Sequence, residues 1–323
     1  MSLRTRCGLG IAVAAVLFAA MLLISDGGRH YRRNFITMGT RAAFVFYAPD
    51  TRCLAADRAA ENAFAQVSDC CNLYDPASEL SRLNKSAADA PFVCSDLLWS
   101  ILCEARKAYI YSEKSFDISI KPLMDVWGFY RKRKTLPPSA EIAAAKKLCG
   151  LEKVIFDDHK KSVFFTVKGM ALDLGGIAKG RALDLACRAA KNSGIKHGVI
   201  DLGGNLALLS PIPPEKSFKI AITDPADPEK IRILDKTLQS SGNCGVSTSG
   251  SYERFIIFDG KRYGHIIDPL TGTASSNRHA VTVIAPTAMD ADWLSTTLYL
   301  RPDLQKKLET IYSDKLHITI VAP

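Results

Sequence analysis

Several familiar signatures are missing from this chain of 323 residues, and each absence removes a class of function. None of its nine cysteines stands in a Cys-x-x-Cys pair, which argues against a structural zinc site. Neither common phosphate-binding template is present: there is no Gly-x-x-x-x-Gly-Lys-Ser/Thr loop and no Gly-x-Gly-x-x-Gly turn. The stretch Gly245-Val246-Ser247-Thr248-Ser249-Gly250 invites comparison with a serine hydrolase but lacks the Gly-x-Ser-x-Gly elbow. No aromatics interleave the one basic run, Arg131-Lys132-Arg133-Lys134, so it reads as a solvated loop and nucleic acid is not an expected partner. Internal repeats, low-complexity tracts and a clear interdomain linker are also absent.

What is present is ample apolar material. Hydrophobic residues make up 47% of the chain, enough for one large core or two modest ones and too much for disorder. Only one apolar run is long. Arg4 and Arg6 precede an uncharged stretch from Gly8 to Ile24, at the lower limit for spanning a bilayer, which ends at Ser25-Asp26-Gly27-Gly28. No Ala-x-Ala cleavage site closes it, and Cys7 lies ahead of the run, where a lipid-attachment cysteine does not stand. Residues 1–33 therefore read as a signal anchor with its arginines on the cytoplasmic side, and residues 34–323 as the working domain. The net charge of +9 is partly the anchor's, since five arginines against Asp26 leave only +5 for the rest. Eight cysteines remain after Cys7. They are an even number that permits disulfides outside the cytoplasm and equally suits buried thiols in a reducing habitat.

Strands and helices alternate without a regular βαβ beat. Asn34 to Tyr47 reads as a strand pair turning at Met38-Gly39-Thr40, and Ala55 to Asn72 has helical spacing broken at Tyr74-Asp75-Pro76. Ser95 is an N-cap candidate for a helix reaching about Ser112, and Ser139 for another that stops at Gly150. Val154 to Phe156 and Val163 to Val167 suggest a hairpin. ALDLGGIAKGRALDLA, residues 171–186, predicts a strand to Leu174, a glycine turn and a helix from about Ala178 to Asn192 ended by Gly194. Further strands are predicted at Val199–Leu202, Phe218–Ile222, Arg254–Phe258, Ala280–Ile284 and His317–Val321, with a helix over Asp290–Leu300. The class is α+β.

Four stretches could carry chemistry. The glycine turn offers bare backbone ahead of a helix N-terminus, which suits a phosphate; a tight turn without a ligand suits the same residues. TAMDADWLSTTLYL sets Asp292 and Thr296 one helical turn apart, a pair of hard oxygens fit for Mg²⁺. The plainer alternative is an acidic residue answering the helix dipole and a threonine bonding back to the preceding turn. His265, ahead of Asp268-Pro269 and Thr271-Gly272, is either a proton acceptor or a donor to a turn carbonyl. SFDISIKPLMDVWGF, residues 115–129, joins aromatic and acidic residues to a proline-closed turn, and apolar core with one exposed aspartate accounts for it as well.

Taken in order, these segments resemble the FAD:protein FMN transferase family, the flavin transferases of ApbE type. The resemblance runs through Met38-Gly39-Thr40, Leu73 to Pro76, Ser78 to Asn84, Phe116 to Ser119 and Trp127 to Phe129. It continues through Leu172 to Gly180, Thr248 to Gly250, His265 to Pro269 and Asp292 to Thr296. It implies mixed or antiparallel sheets with packed helices, in two subdomains with FAD in the cleft between them. FAD is then the substrate and Mg²⁺ the cofactor: a threonine or serine hydroxyl of an acceptor protein takes FMN and AMP leaves. By the same resemblance, the main-chain carbonyl of Ala178 and the side chains of Asp292 and Thr296 hold the metal, and His265 is the candidate base. Met38 and Tyr74 pack on the flavin. Phe116, Asp117, Ile118 and Gly175 contact the cofactor, and Lys179 and Asp184 lie near the nucleotide. The implied acceptors are membrane redox complexes carrying covalent FMN, which places the domain on the periplasmic face of a bacterial inner membrane. Two departures from the family pattern, Lys121 for a glycine and Arg181 for a tyrosine, are expected to add positive charge near the phosphates. Rival readings are an FAD pyrophosphatase, with water in place of the hydroxyl, and an envelope flavin-binding protein without turnover.

Overall fold

A seven-stranded antiparallel sheet organises the computed structural model, which describes residues 31–129, 133–209, 220–223, 231–234, 244–250, 255–277, 279–313 and 315–321. Residues 1–30 of the expected anchor, 1–33, lie outside these, as do Arg131 and Lys132, while residues 31–33 belong to the first strand. Among the described residues no helix is long and apolar enough to cross a membrane. In spatial order the strands are Tyr31–Thr37, Thr40–Phe46, Gly198–Leu202, Asn205–Leu209, Cys244–Gly250, Ala280–Ala285 and His317–Val321. Alternation sorts their side chains. Phe44, Phe46, Ile200, Leu202, Leu209 and Val283 turn to the face that carries the main core, while Val199, Leu206, Leu208, Val246 and Ile284 form a smaller cluster apart from it.

Helices Asp50–Cys71, Ala178–Asn192 and Ala288–Leu300 pack on the main core, as does Asp96–Tyr111 through Leu98, Ile101 and Leu102. The first two are lined with alanine where they meet, Ala56, Ala60 and Ala63 against Ala182, Ala186 and Ala190, all buried. Short side chains let the backbones approach closely. Phe44 lies 5.5 Å from Phe46 and 5.7 Å from Phe64, ring centre to ring centre, and truncating one such fully buried ring costs about 3–5 kcal/mol. A separate cluster gathers Leu123, Met124, Trp127, Cys149, Tyr263 and Ile267 around the short helix Lys121–Trp127 and two small hairpins. Trp127 donates its indole N–H to the Gly272 carbonyl at 2.9 Å. This second cluster and the main core are the two subdomains that border the cleft.

Several local expectations shift by a residue or change kind. Ser95 does cap the helix Asp96–Tyr111, its Oγ accepting from Leu98 N–H at 3.2 Å. Ser139 is the first residue of the helix Ser139–Lys146 rather than its cap; Pro138 stands at that position and makes no side-chain bond. Residues 171–174 are not a strand. Leu172 N–H donates to Asn84 Oδ1 at 2.7 Å and Asn84 Nδ2 donates to the Leu172 carbonyl at 2.9 Å, so one amide side chain satisfies the pair that a neighbouring strand would have taken. Strand Cys244–Gly250 went unassigned, because its Gly, Ser and Thr content hides a central strand. The eight cysteines from Cys53 to Cys244 form no disulfide among the described residues, seven of them are buried, and burial pushes Cys94 and Cys149 up to about 12.

Candidate active site

Both subdomains face a cleft of about 600 Å³, within the range that encloses a small molecule. Met38, Tyr74, Phe116, Asp117, Ile118, Gly175, Ala178, Lys179, His265, Asp292 and Thr296 all line it. At the mouth, Tyr74 is 70% exposed. Met38 and Gly39 form the two-residue turn of the first hairpin, both at positive φ (47° and 68°). Left-handed backbone costs a side-chain-bearing residue, and here the strained residue is the one at the cleft mouth.

The glycine turn is held from inside. Gly175 N–H donates to Asp173 Oδ1 at 2.8 Å, Asp173 N–H donates to the Ile118 carbonyl at 2.7 Å, and Ala178 N–H donates to the Leu174 carbonyl at 2.8 Å. In a regular helix Gly180 N–H would return to the carbonyl of Gly176. It donates instead to Asp292 Oδ2 at 3.0 Å, linking the turn to the last long helix. The approach needs glycine, since a Cβ at Gly180 would sit 2.4 Å from the Ala288 carbonyl oxygen.

Asp292 is 3% exposed. Its Oδ1 accepts from Asn205 Nδ2 at 2.8 Å and lies 3.4 Å from both Ser247 Oγ and Lys179 Nζ. A carboxylate this deep, with one cation at long range, has capacity for a further positive charge. Thr296 Oγ1 donates to the Asp292 carbonyl at 3.2 Å, the back-bond of an ordinary helical threonine, and lies 3.3 Å from Ser249 Oγ while still facing the cleft. Among the described residues no three His, Cys, Asp or Glu side chains gather as a metal cluster. A cation here would be held by one carboxylate and neutral oxygens, a hard donor set that fits Mg²⁺.

Two further carboxylates face the cleft. Asp117 Oδ1 accepts from Ser119 N–H (2.8 Å) and Oγ (2.7 Å), and burial raises its pKa. Asp173 is also buried and its pKa raised by that burial, and its Oδ2 has no hydrogen-bond partner among the described residues. Sequence reading passed over Asp173 because it used this stretch for its glycines alone. It missed Asn205 as well, although that residue directly follows Gly203-Gly204. His265 is fixed through its neighbours, Gly264 N–H donating to the Ser275 carbonyl (2.7 Å) and Ser275 N–H to the Ile266 carbonyl (2.9 Å).

Two expectations are corrected. Asp184 does not line the cleft; its carboxylate accepts from Ala288 N–H at 2.8 Å and Met289 N–H at 3.1 Å, pinning the start of the last long helix. Arg181 does not reach the cleft either, and burial beside Asp184 pulls its pKa down. Lys121 pairs with Asp125 at 2.5 Å. The lysine charge still acts on the cleft, where it works against the burial that raises Asp173, so of the two departures only Arg181 is turned away from the site.

The profile of the ApbE family matches residues 38–320. A protein of Salmonella typhimurium named FAD:protein FMN transferase is 32% identical over 77% of this chain and 71% of its own length. One of the same name from Escherichia coli is 31% identical over 73% and 68%. Among solved structures, an ApbE protein of Thermotoga maritima aligns with a TM-score of 0.81 at 27% identity, covering 91% of this chain and 94% of the other. A mutant of the flavin transferase ApbE from Vibrio cholerae aligns with a TM-score of 0.75 at 26% identity, covering 90% and 93%. The match spans both walls of the cleft, and the chain belongs to the ApbE family.

Proposed function

We propose that this chain is an FAD:protein FMN transferase, which cleaves the pyrophosphate of FAD, joins the FMN half to a threonine or serine hydroxyl of an acceptor protein and releases AMP. Relatives of that name at about 30% identity support the reading. Within this chain the observation that carries it is the bond from Gly180 N–H to Asp292 Oδ2, which joins a bare glycine turn to an acidic helix in one wall.

The chemistry assigns a task to each group. The acceptor oxygen attacks the phosphorus on the riboflavin side, the bond from that phosphorus to the bridging oxygen breaks, and AMP departs with that oxygen. The hydroxyl proton passes to a base, and His265 is the imidazole on the cleft wall. Lys179 offsets phosphate charge, and the glycine turn brings main-chain groups near the pyrophosphate without side chains in the way. Asp292 and Thr296 would hold Mg²⁺, which when bound neutralises charge gathering on the pyrophosphate. For the main-chain ligand, Ala178 is already the first helical residue. Its carbonyl would complete the set beside Asp292 and Thr296, all three residues lining the cleft. Met38, Tyr74, Phe116 and Ile118 provide apolar surface for the flavin ring, and Asp117 and Asp173 accept from polar groups on the substrate.

The acceptors would be membrane redox complexes carrying covalent FMN, met on the periplasmic face by a domain tethered through residues 1–33 to a bacterial inner membrane. The test is FAD incubated with the protein and Mg²⁺, with and without an acceptor domain, following AMP and the acceptor's mass. Transfer gives AMP and an acceptor heavier by one FMN phosphoryl group. AMP with an unmodified acceptor would indicate a pyrophosphatase, and no AMP in either arm a binder.

A further inference from the structure

Asn205 is 3% exposed and belongs to a ring of hydrogen bonds tying together two strands and a helix. Its Nδ2 donates to Asp292 Oδ1 at 2.8 Å, an orientation forced by the carboxylate, which only accepts. Its Oδ1 accepts from Ser247 Oγ at 2.9 Å. Ser247 Oγ accepts in turn from Ser295 Oγ at 3.2 Å, and Ser249 Oγ lies 2.9 Å from Ser295 Oγ and 3.3 Å from Thr296 Oγ1, donating its one proton to one of the two. Thr296 Oγ1 closes the ring on the Asp292 carbonyl. The two side-chain oxygens proposed to hold a cation are thus opposite ends of one buried network.

We propose that Asn205, acting through Ser247, Ser295 and Ser249 as a positioning residue, makes the Asp292–Thr296 site selective for Mg²⁺ over Ca²⁺. The inference rests on reading those two residues as cation ligands. Mg²⁺ requires near-octahedral geometry at about 2.0–2.1 Å, whereas Ca²⁺ accepts six to eight oxygens at about 2.3–2.6 Å and readily takes a carboxylate through both oxygens. Asp292 has Oδ1 tied to Asn205 and Oδ2 tied to Gly180 N–H, so its plane is fixed by one bond on each oxygen and it cannot turn to grip a large cation evenly with both. Thr296 is fixed relative to it by the serines. Without Asn205 the carboxylate is free to turn and to chelate with both oxygens, which removes the geometric penalty on the larger ion.

The experiment titrates MgCl₂ alone and CaCl₂ alone into wild type, Asn205→Ala and Ser249→Ala by calorimetry, with thermal unfolding to confirm that each is folded. Asn205→Ala is expected to weaken Mg²⁺ about 10–100-fold and Ca²⁺ by less than about 3-fold. In turnover, half-saturating Mg²⁺ rises by the same factor while kcat at saturating Mg²⁺ falls less. Equal weakening of both ions, or unchanged Mg²⁺ affinity, overturns the inference. If Asn205→Ala does not fold, Ser249→Ala decides: a loss confined to Mg²⁺ supports the ring, and an unchanged Mg²⁺ affinity overturns it. A wild type that binds neither ion and turns over without them refutes the cation-ligand reading itself, a different failure from a variant that matches wild type.

Discussion

Two helices begin side by side, at Ala178 and at Ala288, and they satisfy their first N–H groups in different ways. The second is sealed entirely by side chains of the protein. Thr287 Oγ1 accepts from Asp290 N–H at 3.0 Å, and Asp184 accepts from Ala288 and Met289 N–H. The first has Ile177 at its cap position and no side-chain cap at all. Its one side-chain partner in that turn among the described residues is Asp292, the residue argued to hold a cation. The bare end lines the cleft and the sealed end does not, which agrees with the proposal that the first helix start meets the phosphates of a substrate.

The sharpest way to break that contrast is to remove the shared carboxylate. Asp292→Ala is expected to lower AMP release from FAD by about 10³-fold or more, because the charge stabilisation at the pyrophosphate goes with it. FAD affinity, read by flavin fluorescence, should fall only about tenfold, since apolar surface for the ring remains. Unchanged transfer by this variant would sink the metal assignment. Next in size is Gly180→Ala, whose new Cβ would lie 2.4 Å from the Ala288 carbonyl oxygen and 2.5 Å from Met289 Cα. Both neighbours are backbone, so the two helix starts must part, at a cost of about 1–3 kcal/mol in a urea titration and with loss of the Asp292 bond. A variant as stable and active as wild type would show that the close approach is not needed.

How much of this was legible beforehand depended on whether a contact is local. The helix over Asp290–Leu300, the helix Ala178–Asn192 and the turn at Met38-Gly39 follow from residues a few positions apart, although the first begins two residues earlier, at Ala288, with Thr287 as an unforeseen cap. Asn84 standing in for a strand beside Leu172, and Asn205 against Asp292, join residues 88 and 87 positions apart, which no spacing rule reaches. Asp184 near the nucleotide is an expectation from the family resemblance alone. Four residues beyond Gly180 it lies on the same helix face one turn deeper, where its carboxylate meets the other helix start.

Asp184 offers a pH test of the sealed end. Burial is the main cause that raises it from an ordinary 3.8 to about 6, against the lowering pull of the two N–H bonds. Between those values the folded state holds the proton more tightly than the unfolded chain. Its contribution to stability is therefore full below about pH 4 and is lost as pH rises through 6. Asp184→Asn has no proton to titrate, so its unfolding temperature should vary less than that of wild type between pH 4 and 6. Parallel curves for the two proteins would mean that the carboxyl is not buried against the helix start.

The smallest effect expected is the most specific to the contrast. Thr287→Ala removes one cap bond and its reciprocal contact with Asp290, which costs about 1 kcal/mol. For a domain of this size that lowers the unfolding temperature by about 2–4 °C. AMP release should stay within about twofold of wild type, because Thr287 is not part of the cleft wall and Asp184 still holds Ala288 and Met289. A tenfold loss of activity from this substitution would mean that the position of the last long helix is set by Thr287 rather than by Asp184 and Gly180. The sealed start would then be part of the catalytic geometry, and the division of labour between the two helix starts would fail.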